Sequence, residues 1–242
     1  MTTNAALIQQ RLHNQRLVRP GFDQPAEVVA WLGALQGQDY PGAKWSLGLR
    51  LVNGTDVQVE QAIADGHVVR TWAMRGTLHL VAAADVRWLV ALVAPRIIAG
   101  NARRYRELEL DEHTLARSSE VIASQLRQPL ARKALLAILE QNGISTKGQR
   151  APYLLQRASL DGLIGQGVMQ GRESVFFPLP DAKSRAPEDG AAELARRYFA
   201  SRGPATLKDF IWWSGLAAAD ARAGLEAVKS ALAEMKIEGQ SY

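Results

Sequence analysis

The stretch HVVRTWAMRGTLHLV, residues 67–81, places β-branched and aromatic residues on both sides of Arg75 and Gly76. Such residues around a glycine-containing turn predict a β-hairpin. Three stretches before it have helical character, with Pro25 and Thr55 at helix starts: residues 5–15, 25–35 and 55–64. Helices followed by a hairpin are the order of elements in a winged helix. Two further helices are predicted after the hairpin, over residues 84–108 and 112–127.

Two later blocks of the chain resemble each other when one is shifted by 75 residues. The matched pairs are Pro129 with Pro204, Lys133 with Lys208, Leu135 with Phe210 and Leu136 with Ile211. Each block then has a glycine turn, at Gly143 or Gly215, a second helix, and a strand start near Leu163 or Ile237. This weak internal repeat predicts that one supersecondary unit occurs more than once.

The second block carries its own hairpin signal in residues 163–180, where two short strands flank Gln170 and Gly171. Residues 181–190, DAKSRAPEDG, have the composition of a linker. The third block has three helical stretches, and its last residues, MKIEGQSY, are expected to supply only the first strand of a wing, so that the chain looks cut short at its C-terminus.

The predicted fold is therefore mainly α with small β wings, built from tandem winged-helix domains. The expected domains are residues 1–127, a first winged helix with extra helices, residues 128–187, a second winged helix, and residues 188–242, a third with an incomplete wing. Three such copies would line a concave, basic surface.

Composition limits the classes of function that this chain can have. Its 29 lysine and arginine residues against 24 acidic residues give a net charge of +5, which favours polyanion binding but also fits a solvated basic surface. The absence of cysteine excludes thiolate nucleophiles and cysteine-ligated metals, and the 4 histidines lack metal-ligand spacing. No metal and no cofactor are predicted. The longest apolar run, residues 88–95, is too short to span a membrane, so a cytoplasmic location is expected.

A second stretch, ALQGQDY at residues 34–40, brings two amides and a carboxylate close together in Gln36, Gln38 and Asp39. An amide both donates and accepts hydrogen bonds, so such a pair can position a water molecule for a reaction. The same residues also fit a plainer role, in which the glutamines cap the carbonyls of the preceding helix or bind DNA phosphates.

Candidate DNA contacts recur at helix starts and at the first hairpin. Lys147, Gln149 and Arg150 begin the helix that would enter a DNA groove in the second winged helix. Winged helices also serve as protein-docking modules, so both uses fit these residues. Trp212 and Trp213 are adjacent on a helix and cannot both face one core, so one is expected to pack between domains.

Other candidate contacts also have structural alternatives. Arg75 and Gly76 at the hairpin tip fit insertion into a minor groove, or a solvated turn. His79 fits a position facing the DNA cleft, although a lone histidine is more often structural. Arg103 and Arg104 belong to a basic cluster that fits a DNA backbone or a solvated helix face.

Four separated motifs in this order resemble the winged-helix DNA glycosylase family related to AlkZ and YcaQ: ALQGQD, VVRTWAMRGTLHLVAAADVRWL, GQRAPYLLQRASLDGLI and LARRYFASRGPATLKDFIWWSGL. The resemblance implies a C-shaped array of three winged helices and a C-terminal β-rich part that this chain would mostly lack. It also implies that the family's catalytic signature, Gln-aliphatic-Gln in the AlkZ-like branch, falls on residues 36–38. Gly37 departs from the signature because it has no aliphatic side chain.

What this resemblance implies for function is a monofunctional glycosylase that hydrolyses the N-glycosidic bond of N7-alkylated or bulky, crosslinked purines. The expected partner is alkylated or crosslinked double-stranded DNA, whose lesion would be recognised without being fully flipped out of the helix. No obligate protein partner is expected. The protein would associate with the bacterial nucleoid when bound to DNA. A purine alkylated at N7 is already a good leaving group, so what remains is to position water through Gln36 and Gln38 and to stabilise a cationic sugar, with Asp39 adding negative charge.

Two other classes of function compete with the glycosylase as explanations of these residues. A non-catalytic winged-helix regulator or docking module has the same predicted fold and basic surface. An enzyme acting on a small molecule needs an enclosed apolar pocket, and the sequence has no nucleotide or cofactor loop for it.

Overall fold

The computed structural model describes residues 4–179, 186–237 and 240–242. Four helices open the chain: α1 (Asn4–Asn14), α2 (Pro25–Leu32), α3 (Tyr40–Gly48) and α4 (Asp56–Ala64). Thr55 begins α4 by accepting a hydrogen bond at Oγ1 from the Gln58 N–H at 3.1 Å. The helix predicted over residues 25–35 ends earlier, because Gly33 takes a positive φ of 76° and turns the chain. Leu35–Gln36 then forms the short strand β1.

The predicted first hairpin is confirmed. β2 (Val68–Trp72) and β3 (Leu78–Ala82) are antiparallel, and a short 3₁₀ turn, Met74–Gly76, joins them. The two predicted helices after it are also confirmed, as α5 (Val86–Glu107), which continues through Pro95, and α6 (Glu112–Gln125).

The second block has the predicted order of elements. After the short strand β4 (Leu130–Ala131) come α7 (Arg132–Gln141), α8 (Arg150–Leu160) and a hairpin of β5 (Ile164–Gln170) and β6 (Glu173–Pro178). The two hairpins belong to one six-stranded sheet in the order β1-β3-β2-β5-β6-β4. β2 and β5 join the two hairpins through one antiparallel residue pair, Arg70 with Gln166. The hairpins are therefore neighbours in one sheet rather than separate wings.

The third block contains α9 (Gly190–Arg202), α10 (Leu207–Ser214) and α11 (Ala218–Val228). Elements of the repeat correspond: α7 and α10 are each followed by a positive-φ glycine, Gly143 or Gly215, and then by a second helix. A single strand was expected after them, but two short antiparallel strands are present, β7 (Lys236–Ile237) and β8 (Gln240–Ser241). Of the predicted linker, residues 181–185 lie outside the described residues.

Three apolar cores hold these elements together, and the first hairpin lies between two of them. Val69 and Val81 face a core shared with α5 and with Leu194 and Phe210 of the third block. Leu80, on the opposite face, packs with α2, α3 and α4. A further core joins α6, α7 and α8 to the second hairpin. Since one core includes both the first and the third block, the division into three domains stays a prediction.

The result is a mostly helical chain with a small antiparallel sheet, as the sequence predicted at this level. None of the helices in the described part of the chain is long and apolar enough to cross a membrane.

Candidate functional site

The loop of residues 36–39 lies along the outer edge of β3. Gly37 donates its N–H to the Leu78 carbonyl at 2.8 Å, and the Leu78 N–H donates to Oε1 of Gln38 at 3.1 Å. The side chains of Gln36, Gln38 and Asp39 are all exposed. Gly33, not a glutamine, ends α2, so the amides are free of the helix-capping role that the sequence left open.

Gly37 is explained by the closeness of the neighbouring strand. A Cβ atom added at Gly37 would lie 3.3 Å from the backbone of both His79 and Leu80, closer than ordinary van der Waals contact. The absence of a side chain lets the loop approach β3 closely enough for the bond between Gly37 and Leu78 to form. Glycine therefore stands in place of the aliphatic residue of the signature at a position where the loop backbone packs directly against the backbone of β3.

Arg70 holds the loop from beneath, and sequence reasoning missed it. It is 6% exposed and donates from Nε to the Gly37 carbonyl at 2.8 Å and from Nη1 to Oε1 of Gln166 at 3.0 Å. Its guanidinium also lies 5.5 Å from the ring centroid of Tyr40. Burial lowers the pKa of Arg70. The one signal in the sequence is an arginine in the middle of VVRTW, whose other residues are β-branched or aromatic.

A second arginine, the half-buried Arg202 of α9, fixes the chain just before the loop. Its guanidinium donates to the Leu32 carbonyl at 2.6 Å and to the Ala34 carbonyl at 3.1 Å. It also stacks on Trp213, with its Cζ 4.3 Å from the ring centroid. Burial lowers the pKa of Arg202 to about 10. Backbone carbonyls on both sides of Gln36 are thus held by arginines from distant parts of the chain.

Asp39 stands at the start of α3, where the unpaired N–H groups of the first turn give a positive partial charge. Its carboxylate lies over Gly42, because a Cβ atom there would be 2.5 Å from Oδ2 of Asp39. The next residue, Tyr40, anchors the helix by donating its hydroxyl to Glu60 at 3.0 Å. The loop therefore presents two amides and one carboxylate from a backbone that is fixed at both ends.

The structure corrects the DNA contact predicted for His79. This side chain is 1% exposed, and its Nδ1 donates to the Thr77 carbonyl at 2.9 Å. Burial, with smaller contributions from the nearby charges of Arg75 and Arg202, lowers the pKa of His79 to about 4, so the ring is neutral at pH 7. His79 is a buried structural residue, and it is paired with Gln36 across the strands β1 and β3.

Arg75 and Gly76 lie at the hairpin tip, as predicted, but the tip contacts the third block. Nη1 of Arg75 donates to the Trp213 carbonyl, and the guanidinium lies 5.4 Å from the ring centroid of Trp212. Trp212 is 74% exposed, whereas Trp213 packs into the core beside the first hairpin, which confirms that one of the two tryptophans packs between blocks. Arg75 is still exposed, but it is not a freely solvated turn residue.

The remaining basic candidates gather where α5 ends and α8 begins. Arg104 donates from Nη2 to Oε1 of Gln149 at 2.5 Å, which brings those two predicted residues together. Arg150 donates from Nη1 to the Leu108 carbonyl at 2.6 Å, so it joins the two helices. Lys147 is exposed beside them.

Glu107 neutralises part of this cluster. It accepts hydrogen bonds from Arg104 and Arg103, both at 2.8 Å, and these bonds hold the pKa of its carboxyl below the usual range. Arg103 itself is 86% exposed. In the described ranges, no group of histidine and acidic side chains has the arrangement of a metal site.

These features define a mainly helical protein whose small sheet presents a rigid polar loop. The family model of DNA glycosylase AlkZ-like proteins matches residues 29–242, and the chain therefore belongs to the AlkZ-like DNA glycosylase family. This confirms the resemblance seen in the sequence motifs.

A curated relative and a solved structure, both from Streptomyces sahachiroi, are similar to this chain. An interstrand DNA cross-link repair glycosylase is 24% identical over 223 residues, which cover 85% of this chain and 59% of the relative. The solved structure of DNA glycosylase AlkZ matches with a TM-score of 0.78 and 22% identity, over 96% of this chain and 66% of that one. The chain thus spans about three fifths of the length of the curated relative that it matches, and the structural match supports the fold.

Proposed function

We propose that this protein is a monofunctional DNA glycosylase that hydrolyses the N-glycosidic bond of N7-alkylated or bulky, crosslinked purines during DNA repair. The observation that carries the proposal is the pair of exposed amides, Gln36 and Gln38, on a loop that β3 and Arg70 hold in place, in a chain of the AlkZ-like family. A relative named as an interstrand cross-link repair glycosylase supports crosslinked DNA as the substrate.

The two amides differ in what they offer to a water molecule. Oε1 of Gln38 already accepts the Leu78 N–H, so the Nε2 group of Gln38 is left to donate to the water oxygen. Gln36 offers its Oε1 to accept a hydrogen bond from the same water. Together they orient the water oxygen towards C1′ of the sugar, and such positioning lowers the barrier by removing the entropic cost of alignment.

The reaction needs little acid catalysis when the purine is a cation. The bond between C1′ and the purine nitrogen breaks, its electron pair moves into the ring and cancels the positive charge, and the water oxygen bonds to C1′ and releases a proton to solvent. Asp39 stabilises the cationic sugar through its negative charge. This route uses no metal and no cofactor.

DNA binding and domain arrangement belong to the same proposal. We assign double-stranded DNA to a concave surface of tandem winged helices in a C-shaped array, with residues 1–127, 128–187 and 188–242 as its domains. The net charge of +5 and the exposed Arg103 and Lys147 support contact with phosphates. Arg75, Gly76, Arg104, Gln149 and Arg150 are assigned positioning contacts around this surface. The protein acts in the bacterial cytoplasm, on the nucleoid, without an obligate protein partner.

The test is release of free base from a duplex that carries N7-methylguanine. The double variant Gln36→Ala, Gln38→Ala is expected to lower the rate of release by about 100-fold or more, as for the loss of other preorganised polar groups, while DNA affinity stays within about twofold. A matched control is Gln125→Ala with Gln128→Ala, since both glutamines are exposed and lie outside the loop.

The result that would overturn the proposal is DNA binding by the wild-type chain with no base release from methylated or crosslinked duplexes. A regulator or docking module would then be the better description. Affinity itself is checked through salt, because log affinity falls by about 0.9 per neutralised phosphate for each unit of log salt concentration. A flat response would exclude DNA as the partner.

A further inference from the structure

A cleft of about 660 Å³ lies where the three blocks meet, away from the amide loop. Its walls come from the tip of the first hairpin, from α5, from α8 and from the turn after α10. The side chains that give it chemical character are Trp72, Arg75, Arg96, Asn101, Tyr153 and Gln156. None of the three residues assigned to hydrolysis, Gln36, Gln38 and Asp39, lines this cleft.

The cleft has a fixed frame, because two amides tie its walls together. Nε2 of Gln156 donates to the Gly76 carbonyl at 3.1 Å, and Nδ2 of Asn101 donates to Oε1 of Gln156 at 2.8 Å. Gly215 completes the frame on the other side, where a Cβ atom would lie 2.9 Å from Cγ of Arg75. The hairpin tip is therefore held against α5, α8 and the third block before any ligand binds.

The charged side chains that line the cleft are all positive. Arg75 and Arg96 both line it, and no aspartate or glutamate is among its lining residues in the described part of the chain. Arg96 is exposed on α5, where its planar guanidinium is accessible. Arginine forks bind phosphate with two parallel hydrogen bonds, so the cleft suits a phosphate better than any cation.

Two half-buried aromatic rings, Trp72 and Tyr153, lie among the same walls. Tyr153 is braced by Tyr105, with the ring centroids 6.0 Å apart and the planes at 83°. Aromatic rings beside a positive groove are the usual platform for an unpaired base, because every base has a flat face that can stack. A volume of this size is within the range of about 300 to 1,000 Å³ that holds small ligands.

We propose that this cleft binds one unpaired nucleotide of DNA, with its phosphate at Arg96 and Arg75 and its base against Trp72 and Tyr153. The inference rests on the proposed function only in taking DNA as the partner. The nucleotide is one displaced beside the hairpin tip, and it is not required to be the base that is excised.

The test compares two DNA probes, a duplex with a single unpaired thymidine and the same duplex fully paired, by fluorescence anisotropy. Wild-type protein is expected to prefer the unpaired probe. Arg96→Ala is expected to weaken binding of that probe about tenfold, the value of a charge-assisted hydrogen bond, and to change binding of the paired probe by less than about twofold. Arg96→Lys keeps the charge but not the fork, so it should recover only part of the loss.

Arg222→Ala on α11 is the matched control, since it removes the same charge from an exposed helix position and should leave both affinities unchanged. Thermal melting of each variant shows that the fold is intact. An equal loss for both probes on Arg96→Ala, or no loss for either, would overturn the inference. Absence of base release by the wild-type chain would overturn the proposed function alone, because this assay measures binding without hydrolysis.

Discussion

The tip of the first hairpin, Met74–Gly76, is enclosed by other parts of the chain, whereas the tip of the second hairpin, at Gly171, faces solvent. A Cβ atom added at Gly76 would meet Ile97 at 3.2 Å and Gln156 at 3.7 Å, but one added at Gly171 would meet nothing within 4 Å. Both hairpins are antiparallel and both have a glycine of positive φ at the turn. Their local structure is alike, and their surroundings are opposite.

The difference shows how one sequence pattern, a hairpin with a glycine at its turn, gives an enclosed tip in one place and an open tip in another. An enclosed tip has a fixed position, so it can serve as a wall of a cleft. An open tip can adjust to a partner, because few contacts resist its movement. We therefore expect substitutions in the first hairpin to change stability and site geometry, and substitutions in the second hairpin to change little in the free protein.

The largest contrast is expected between two arginines, Arg70 in the first hairpin and Arg172 at the open tip. Arg70→Ala leaves the buried Gly37 carbonyl and the Gln166 amide without a donor, so we expect the free energy of unfolding to fall by about 4 kcal/mol. Arg172 is exposed, and Arg172→Ala should change the free energy by less than about 0.5 kcal/mol. Urea denaturation of both variants gives the two values, and similar losses would contradict the contrast.

The second contrast concerns His79, which is buried in β3. Its pKa is lowered to about 4 in the folded protein from an ordinary value of 6.5, because burial disfavours the charged ring. Protonation therefore favours the unfolded chain. The contribution of neutral His79 to stability is complete above pH 6.5 and is lost as the pH falls through about 4, by about 3 kcal/mol in all.

His79→Asn keeps a donor for the Thr77 carbonyl but cannot titrate, so it is expected to remove that part of the pH dependence. The measurement is the free energy of unfolding by urea at several pH values between 7 and 4, taken as the difference between wild type and variant, which cancels the carboxylates common to both. His113, exposed at the start of α6, supplies the control His113→Asn. Parallel curves for wild type and His79→Asn would mean that His79 is not held neutral by the fold.

Local signals in the sequence predicted most of the elements. Pro25 and Thr55 mark helix starts, the runs around Gly76 and Gly171 mark hairpins, and both hairpins and most helices are present at those positions. These signals act over a few residues, so they do not depend on the rest of the chain. One exception is the end of α2, where the apolar run continued to Leu35 although Gly33 stops the helix, and another is α3, which was not predicted.

Local sequence signals did not predict contacts between residues that are far apart in the chain. Arg70 meets Gly37 and Gln166, which are 33 and 96 residues away, and no periodicity in VVRTW reveals those partners. The closeness of Gln36 and Gln38 was visible in the sequence, but what holds them was not. Likewise the burial of His79 follows from a strand β1 that was not predicted, and the enclosure of Arg75 follows from the third block.

A third contrast separates the glycine that encloses the first tip from its counterpart in the repeat. Gly215 and Gly143 both have positive φ, 71° and 75°, so an alanine at either position adopts a left-handed conformation that costs about 1 kcal/mol or slightly more. At Gly215 the new Cβ would also lie 3.2 Å from the Arg75 backbone nitrogen, whereas at Gly143 the nearest atom is 3.8 Å away, in the flexible side chain of Arg117.

We therefore expect Gly215→Ala to lower the free energy of unfolding by about 2 kcal/mol and Gly143→Ala by about 1 kcal/mol. Urea denaturation measures both. If the hairpin tip moves aside to accept the methyl group, the two losses will be equal, and the cleft beside Arg75 will be shown to be adaptable rather than rigid.

The smallest contrast compares the two tip glycines directly, and it isolates enclosure from backbone strain. Gly76→Ala and Gly171→Ala incur the same left-handed cost, since their φ values are 70° and 62°. Only Gly76→Ala adds a contact, with a methyl group of Ile97 at 3.2 Å, and a side-chain methyl can shift by a few tenths of an ångström. The expected difference in the free energy of unfolding is below about 1 kcal/mol, with Gly76→Ala the less stable. The added contacts alone make Gly76→Ala the less stable variant. If Gly171→Ala is instead the less stable one, the turn at Gly171 carries more backbone strain than the turn at Gly76.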